Sequence, residues 1–473
     1  MATQKSNLSI KYIIFFFLIF FSGILLRLYN LNLEDYWLDE QAGFYVADPT
    51  IIFSDTLERV KVVGRGTNLV FNLILKKFFY YFGYDPNIGR VLPFIFGILC
   101  IPALSYLSFQ INKNKSFLIT SILCSFNFYL ISYSQETRLY SLLFLVSILN
   151  LIFFFKLYES KNLDKYKIIF SIFYTSTSIL GNCLHVFFFI ITFSQIIFLF
   201  IKKFFDKEKI FFNLSCVFVS IFFYILLMYD FLFLQINIKE FWMPQISIDF
   251  FYSFFFSRFF GSKIMGVIYL AVLLYLIYRN RNLVFKYNSK YFLLILILTF
   301  SYLLPVIYSI IQKPVLTDRY IIFVLIPVIL LISNLIFNIK NNREKIIILF
   351  IILGSSVINN YIEIFNREIS KPEFSKSLGH ISKFEDKNVV VKTKAEITER
   401  IIINYAENIR VSKKNNINFL KSSDEIDNLK NIWFICYQPI NGYDCSPNNY
   451  IFSTWKNVSK INHKLIVTYL YEK

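Results

Sequence analysis

Tyr12-Ile-Ile-Phe-Phe-Phe-Leu-Ile-Phe-Phe-Ser-Gly-Ile-Leu-Leu26 is apolar on nearly every face of any regular structure it could adopt. A half-wet strand alternates in polarity and this run does not, so it satisfies its backbone internally as an α-helix in lipid. Runs of similar character and about 20 residues recur down the chain, the length that crosses a hydrocarbon core as a helix. They predict about eleven spans, near residues 9–28, 91–110, 116–133, 141–157, 167–183, 186–202, 210–232, 263–279, 291–311, 320–338 and 345–362. Composition agrees: 56% of the 473 residues are hydrophobic and only 17% charged, more apolar matter than a soluble core needs.

A formal charge of +18 would suggest nucleic acid in a soluble protein. Here Lys and Arg sit in short loops between apolar runs, which is a topology signal. One side collects Lys113, Lys115, Lys161, Lys165, Lys202, Lys203, Arg279, Arg281, Lys340 and Arg343, and the other chiefly Arg138, Arg258, Lys263, Lys313 and Arg319. The bias predicts a cytoplasmic N-terminus and no nucleic-acid partner. No small-residue cleavage site follows the first run, only Arg27 and a polar loop, so it reads as an uncleaved anchor.

Two segments predicted to be extracytoplasmic are long, residues 29–90 and the tail from about residue 366. In the first, Thr67 to Phe82 is amphipathic and aromatic with Lys76 and Lys77 interrupting it, the pattern of a helix lying at the membrane interface. In the second, Asn388 to Val391, Ile432 to Ile435 and Leu465 to Val467 read as short strands among helical or polar stretches. The predicted organisation is an all-α polytopic membrane domain over 1–365 and a small extracytoplasmic α/β domain over 366–473. Cys436 and Cys445 flank a turn-rich segment and could close a disulfide in an oxidising compartment, whereas Cys100, Cys124, Cys183 and Cys216 read as small buried apolar residues. No Walker-type glycine loop, Cys/His metal cluster or Gly-x-Ser-x-Gly elbow is present, which counts against an ATP-driven pump.

Three charged clusters could carry chemistry. In the first outer loop, Trp37-Leu-Asp39-Glu40 places adjacent carboxylates among aromatic residues, where partial desolvation would raise a pKa toward that of a general base; solvated helix-capping acids are the plainer reading. Ser134-Gln-Glu-Thr-Arg-Leu-Tyr140 sets Glu136 and Arg138 at a membrane edge, where a charge must pair, reach headgroups or face a polar cavity. Lys313-Pro-Val-Leu-Thr-Asp-Arg-Tyr320 puts Lys313 and Arg319 on the same side, and cations converging there suit a phosphate. Arg90 opens the second span and His185 lies at an outer turn, where a lone His is more often structural.

Arg27, the Trp37 to Glu40 loop, the Gly83 to Gly97 segment with Arg90, Tyr133 to Tyr140, and Asp318-Arg-Tyr320 before a span holding Pro327 resemble, in order and spacing, the GT-C superfamily of membrane glycosyltransferases. The likeness is to the bacterial group related to protein O-mannosyltransferases and lipid A aminoarabinose transferases, and it covers about the first 330 residues. It implies a sugar donor on a polyprenyl phosphate, a glycan, lipid or protein hydroxyl as acceptor, and inverting transfer at the outer face of the membrane, that of a bacterial inner membrane. It makes Asp39 the catalytic base with Glu40 beside it, and Arg138, Arg90, Lys313 and Arg319 the groups on the donor phosphate. Arg27, Glu136, Tyr140, Tyr320 and His185 become supporting residues. Relatives often carry a Pro-Pro pair ahead of the interfacial helix where this chain has Gly64-Arg-Gly-Thr-Asn68, a departure that bears on the loop's shape. No cofactor is implied, and Asp39, Glu40 and Glu136 would hold a divalent cation only if the fold gathered them. The alternative is a flippase or other transporter, or an O-antigen ligase-like protein, handling lipid-linked sugars. A transporter concentrates ionisable groups near the bilayer midplane, whereas the charges here cluster at one edge.

Overall fold

The computed structural model describes residues 10–64, 68–113, 115–160, 164–206, 210–236, 245–281, 289–393, 395–420, 429–437 and 455–473. The chain divides into two compact units. The first comprises Met1–Asn30, Arg65–Val70 and Pro93–Arg367, and the second Leu31–Gly64, Phe71–Leu92 and Glu368–Lys473.

The first unit is helical throughout its main segments. Among the described residues, eight helices are long and apolar enough to cross a membrane, and the bent pair Ser116–Phe126 and Phe128–Ser134 makes a ninth if counted as one span. These helices make the chain an integral multi-pass membrane protein. The two remaining expected spans are helices as well. Lys165–Leu184 is diluted by Thr175-Ser-Thr-Ser178, and Lys263–Arg279 has only 17 residues.

The bent span shows how backbone survives a break in an apolar setting. The two halves meet at 58°, where Asn127 leaves helical geometry (φ −71°, ψ 113°) and its side chain accepts from the Leu130 N–H at 2.9 Å. The break strands the last carbonyls of Ser116–Phe126, each costly to bury unpaired. Arg27, fully buried at the end of Ile10–Leu28, donates to the carbonyls of Cys124 (3.0 Å) and Ser125 (3.1 Å), and Asn360 donates to that of Phe126 (3.0 Å). Gln135 returns the support by donating to the carbonyls of Arg27 (3.0 Å) and Tyr29 (2.8 Å). Gly97 lets the helix carrying it approach this point, since a Cβ there would lie 2.4 Å from that of Ser134.

The second unit joins short helices of the first outer segment to a sheet in the tail. Leu38–Val46, Phe53–Gly64 and Leu69–Phe82 are its principal helices before residue 92, the last beginning in the first unit. At 14 residues Leu69–Phe82 is too short to span, as expected of an interfacial helix. Tyr80, Tyr81 and Phe82 are exposed at its end, while Lys76 turns inward to the Ile51 carbonyl (2.7 Å) and the Thr56 hydroxyl (2.8 Å).

The sheet has strands β1 (Asn388–Lys392), β2 (Asn418–Phe419), β3 (Asn431–Tyr437), β4 (Lys456–His463) and β5 (Ile466–Glu472), in the order β2-β1-β3-β5-β4. β1 runs parallel to β2 and β3, and β5 antiparallel to β3 and β4. The three anticipated strands are the inner ones, whose apolar runs fill both faces. β2 and β4 are edges, one only two residues long and the other Lys-Asn-Val-Ser-Lys-Ile-Asn-His, polar as edges must be to resist pairing with another chain. On one face Val390, Ile432, Phe434 and Tyr471 form a core. On the other, Trp433 packs on His380 and Phe384. Cys436, fully buried in β3, is disulfide-bonded, and its anticipated partner Cys445 lies outside the described residues.

Candidate functional site

In the first unit, three helix ends supply a polar constellation. The loop between Phe128–Ser134 and Tyr140–Glu159 carries Arg138, whose amide donates to the Glu136 carbonyl at 2.7 Å. The Arg138 guanidinium lies 5.6 Å over the Tyr140 ring and 3.4 Å from its hydroxyl. His185 terminates Lys165–Leu184 and accepts the Phe187 N–H through Nδ1 at 3.2 Å. Its ring lies 4.6 Å from that of Tyr320, in the first turn of the 3₁₀ segment Asp318–Val324. Burial first, then the positive charges of Arg138 and Arg319, hold the His185 pKa well below its ordinary value. Asp318, beside Arg319, pairs with Arg258 at 3.7 Å. Lys313 lies in the same unit, half-buried in the preceding loop.

In the second unit, Asp39 and Glu40 open Leu38–Val46 and have different fates, because successive helical residues do not share a face. Glu40 is fully buried. It receives Lys371 Nζ at 2.7 Å and a two-point approach from Arg90, Nη2 at 3.4 Å and Nε at 3.5 Å. Arg90 also donates to the carbonyls of Leu31 (3.1 Å), Glu34 (2.6 Å) and Asp35 (3.3 Å), and its guanidinium lies 4.9 Å from the Tyr36 ring. The loop before the helix is thus wound around one guanidinium. Asp39 is half-buried near Tyr437, at the end of β3, whose phenol burial pushes to a higher pKa with the Asp39 charge adding to the rise.

Tail residues that no motif announced complete this network. Glu34 accepts from the Ser370 N–H (2.7 Å) and hydroxyl (2.9 Å), and Asp35 from the Ser375 N–H (2.7 Å) and hydroxyl. Tyr405 stacks on Tyr36 at 5.2 Å and accepts its N–H at 2.8 Å. Burial raises the Asp35 pKa, opposed by the Ser375 hydrogen bonds. The only trace in the sequence is the pair Glu34-Asp35 ahead of Tyr36; nothing local marks Lys371, Ser375 or Tyr405.

The anticipated residues therefore fall into two sets. Arg138, Glu136, Tyr140, His185, Arg319, Tyr320, Lys313 and Arg27 belong to the first unit, with Arg27 at the span break rather than among the polar side chains around His185. Asp39, Glu40 and Arg90 belong to the second. The Glu40 carboxylate is engaged by two cations, so the acidic pair does not offer both groups to a metal. Among the described residues no group of three or more His, Cys, Asp or Glu is placed to hold one.

No protein family profile and no curated protein matches this chain. Solved structures do. ArnT from Cupriavidus metallidurans in its apo state aligns over 97% of this chain and 98% of its own, with a TM-score of 0.63 at 8% identity. The same protein bound to undecaprenyl phosphate aligns over 97% of each chain, with a TM-score of 0.59 at 8% identity. The oligosaccharyltransferase AglB from Archaeoglobus fulgidus, in complex with an inhibitory peptide and a dolichol-phosphate, aligns over 90% of this chain and 69% of its own, with a TM-score of 0.52 at 10% identity. Over nearly its whole length the chain thus has the ArnT-like GT-C fold.

Proposed function

We propose that the protein is an inverting glycosyltransferase that moves a monosaccharide from a polyprenyl-phosphate donor to a hydroxyl acceptor on a glycan, lipid or protein at the extracytoplasmic face. The observation carrying this reading is the cluster of helix ends in which His185 packs on Tyr320 and Arg319 and Arg138 lie over the rings of Tyr320 and Tyr140. Fixed cations at a buried edge suit a leaving phosphate, whose charge grows in the transition state. The fold shared with proteins solved with undecaprenyl phosphate or dolichol-phosphate supports the same donor class. The basic loops support a cytoplasmic N-terminus and a tail outside, and the membrane we propose is a bacterial inner membrane.

The acceptor oxygen attacks the anomeric carbon while its proton passes to the Asp39 carboxylate. The bond from that carbon to the phosphate oxygen breaks, and the electron pair leaves with the lipid monophosphate. Arg138 and Arg319, with Lys313, stabilise the added charge, and Tyr140, Glu136 and Tyr320 hold the guanidinium groups in place. Glu40 and Arg90 act as positioning residues, setting the angle at which the helix presents Asp39. Arg27 steadies the broken span that leads to the Arg138 loop.

Transfer of radiolabelled sugar from a panel of polyprenyl-phosphate sugars tests the reading, in membranes carrying matched amounts of wild type, Asp39→Asn or Arg138→Ala. Asp39→Asn should lose about a hundredfold or more, as removal of a general base does. Transfer at the wild-type rate by Asp39→Asn would overturn its assignment and bring the transporter reading forward.

A further inference from the structure

The second unit encloses a cavity of about 230 Å³ that the chemistry above does not use. Its walls come from residues 32–36, from Pro86, Asn87 and Arg90, and from Ser375, Tyr405 and Arg410 of the tail. One water needs roughly 10–15 Å³ of such space, so the cavity has room for a ring-sized ligand.

Its lining narrows the ligand class. An anion entering it would meet the carboxylates of Glu34 and Asp35, and Arg90 is already committed to Glu40 and three backbone carbonyls. A cation would meet Arg90, Arg410 and Lys376. Polar groups of both kinds, acceptors and donors, line the wall. The Asp35 carboxylate and the Ser375 and Tyr405 hydroxyls sit on one side. At the rim, the exposed side chains of Asn32, Asn87 and Arg410 make no hydrogen bond within the described structure, leaving two amides and a guanidinium to offer paired groups. Pro86 and Ile409 add apolar surface between them. Paired donors and acceptors flanking apolar patches complement a sugar ring, with its vicinal hydroxyls and C–H faces, better than either kind of ion.

We infer that this cavity is a subsite for a neutral saccharide, a sugar residue of the acceptor glycan held by Asn87, Arg410 and Asp35. The inference rests on the transferase reading for the word acceptor; the binding itself does not. Asp39 follows Asp35 by four positions, and an extended chain of that length reaches at most about 14 Å, so a short oligosaccharide seated in the cavity is long enough to reach the Asp39 carboxylate.

The test measures binding without donor, using the full-length protein in lipid nanodiscs on an array of short neutral oligosaccharides built from hexoses, deoxyhexoses and N-acetylhexosamines. We expect one class to be retained. Arg410→Ala should weaken it about tenfold, as loss of a charge-assisted hydrogen bond does, and Asn87→Trp, which blocks the mouth, should do at least as much. Both positions are exposed, so the variants should fold, and an unchanged melting temperature checks this. Binding that survives both cavity variants, no retained glycan, or displacement of the glycan by inorganic phosphate would each overturn the inference. If glycan binding stands while Asp39→Asn still transfers sugar, the cavity survives and the assignment of the base does not.

Discussion

Replacing Glu40 with Gln removes the counter-charge of two cations that cannot reach water, Arg90 at 3% exposure and Lys371 at 9%. Breaking a buried ion pair by deleting one partner costs about 3–5 kcal/mol, because the remaining charge stays desolvated. Gln keeps the shape and can still accept one hydrogen bond, which places the loss near the lower end. For a unit of about 150–250 residues each kcal/mol is worth about 2–4 °C, so the melting temperature should fall by about 6–12 °C. Tryptophan fluorescence of the detergent-solubilised protein reads this directly, and amide exchange should localise it to Leu38–Val46 and the 31–37 loop. Adding Lys371→Met to Glu40→Gln removes one orphaned cation and should recover part of the loss. A drop below about 2 °C, or a second substitution that adds its own penalty, would refute the positioning role of Glu40. A Glu40→Gln enzyme that keeps its melting temperature and loses transfer would instead make Glu40 a participant in the chemistry.

Two further outcomes follow. Arg27→Met strands the carbonyls of Cys124 and Ser125 at the span break, each worth about 1–3 kcal/mol when buried without a partner; a thiol-reactive dye should label the buried Cys124 at a lower temperature than in wild type, and an identical labelling profile would show that the break holds without Arg27. Burial holds the Asp35 pKa above its ordinary value in the folded state, so its contribution to stability is greatest below about pH 4 and is lost as pH rises through the folded pKa. Wild type should therefore lose stability relative to Asp35→Asn on going from pH 4 to 7, and a pH-independent difference would place the charged form of Asp35 in a site as favourable as water.

The spans were legible because lipid demands a local signature: a run of about 20 apolar residues declares itself whatever it later packs against. The inner strands were legible for a similar reason, being short runs with apolar residues on both faces. β4 was not, since an edge strand is selected to look polar, and its pairing is visible only beside β5. The site divides the same way. Trp37-Leu-Asp39-Glu40 and the Arg138 loop stand out as charges beside apolar runs, but the tail partners of Glu34, Asp35, Tyr36 and Glu40 lie more than 330 residues further along the chain. No periodicity encodes such a pairing, and Lys371 between Ser370 and Pro372 reads locally as any loop lysine.

Cationic residues near membrane edges were also indistinguishable by type, and only their acceptors separate them. Arg27 and Arg90 spend their N–H groups largely on backbone carbonyls, three in each case. A ligand that drew either guanidinium away would have to repay those carbonyls as well as bind. Arg138 and Arg319 lie over the rings of Tyr140 and Tyr320. The proposal of Arg138 and Arg319 as donor-binding groups over Arg27 and Arg90 follows from that cost, since engaging Arg27 or Arg90 would break the backbone bonds each one makes.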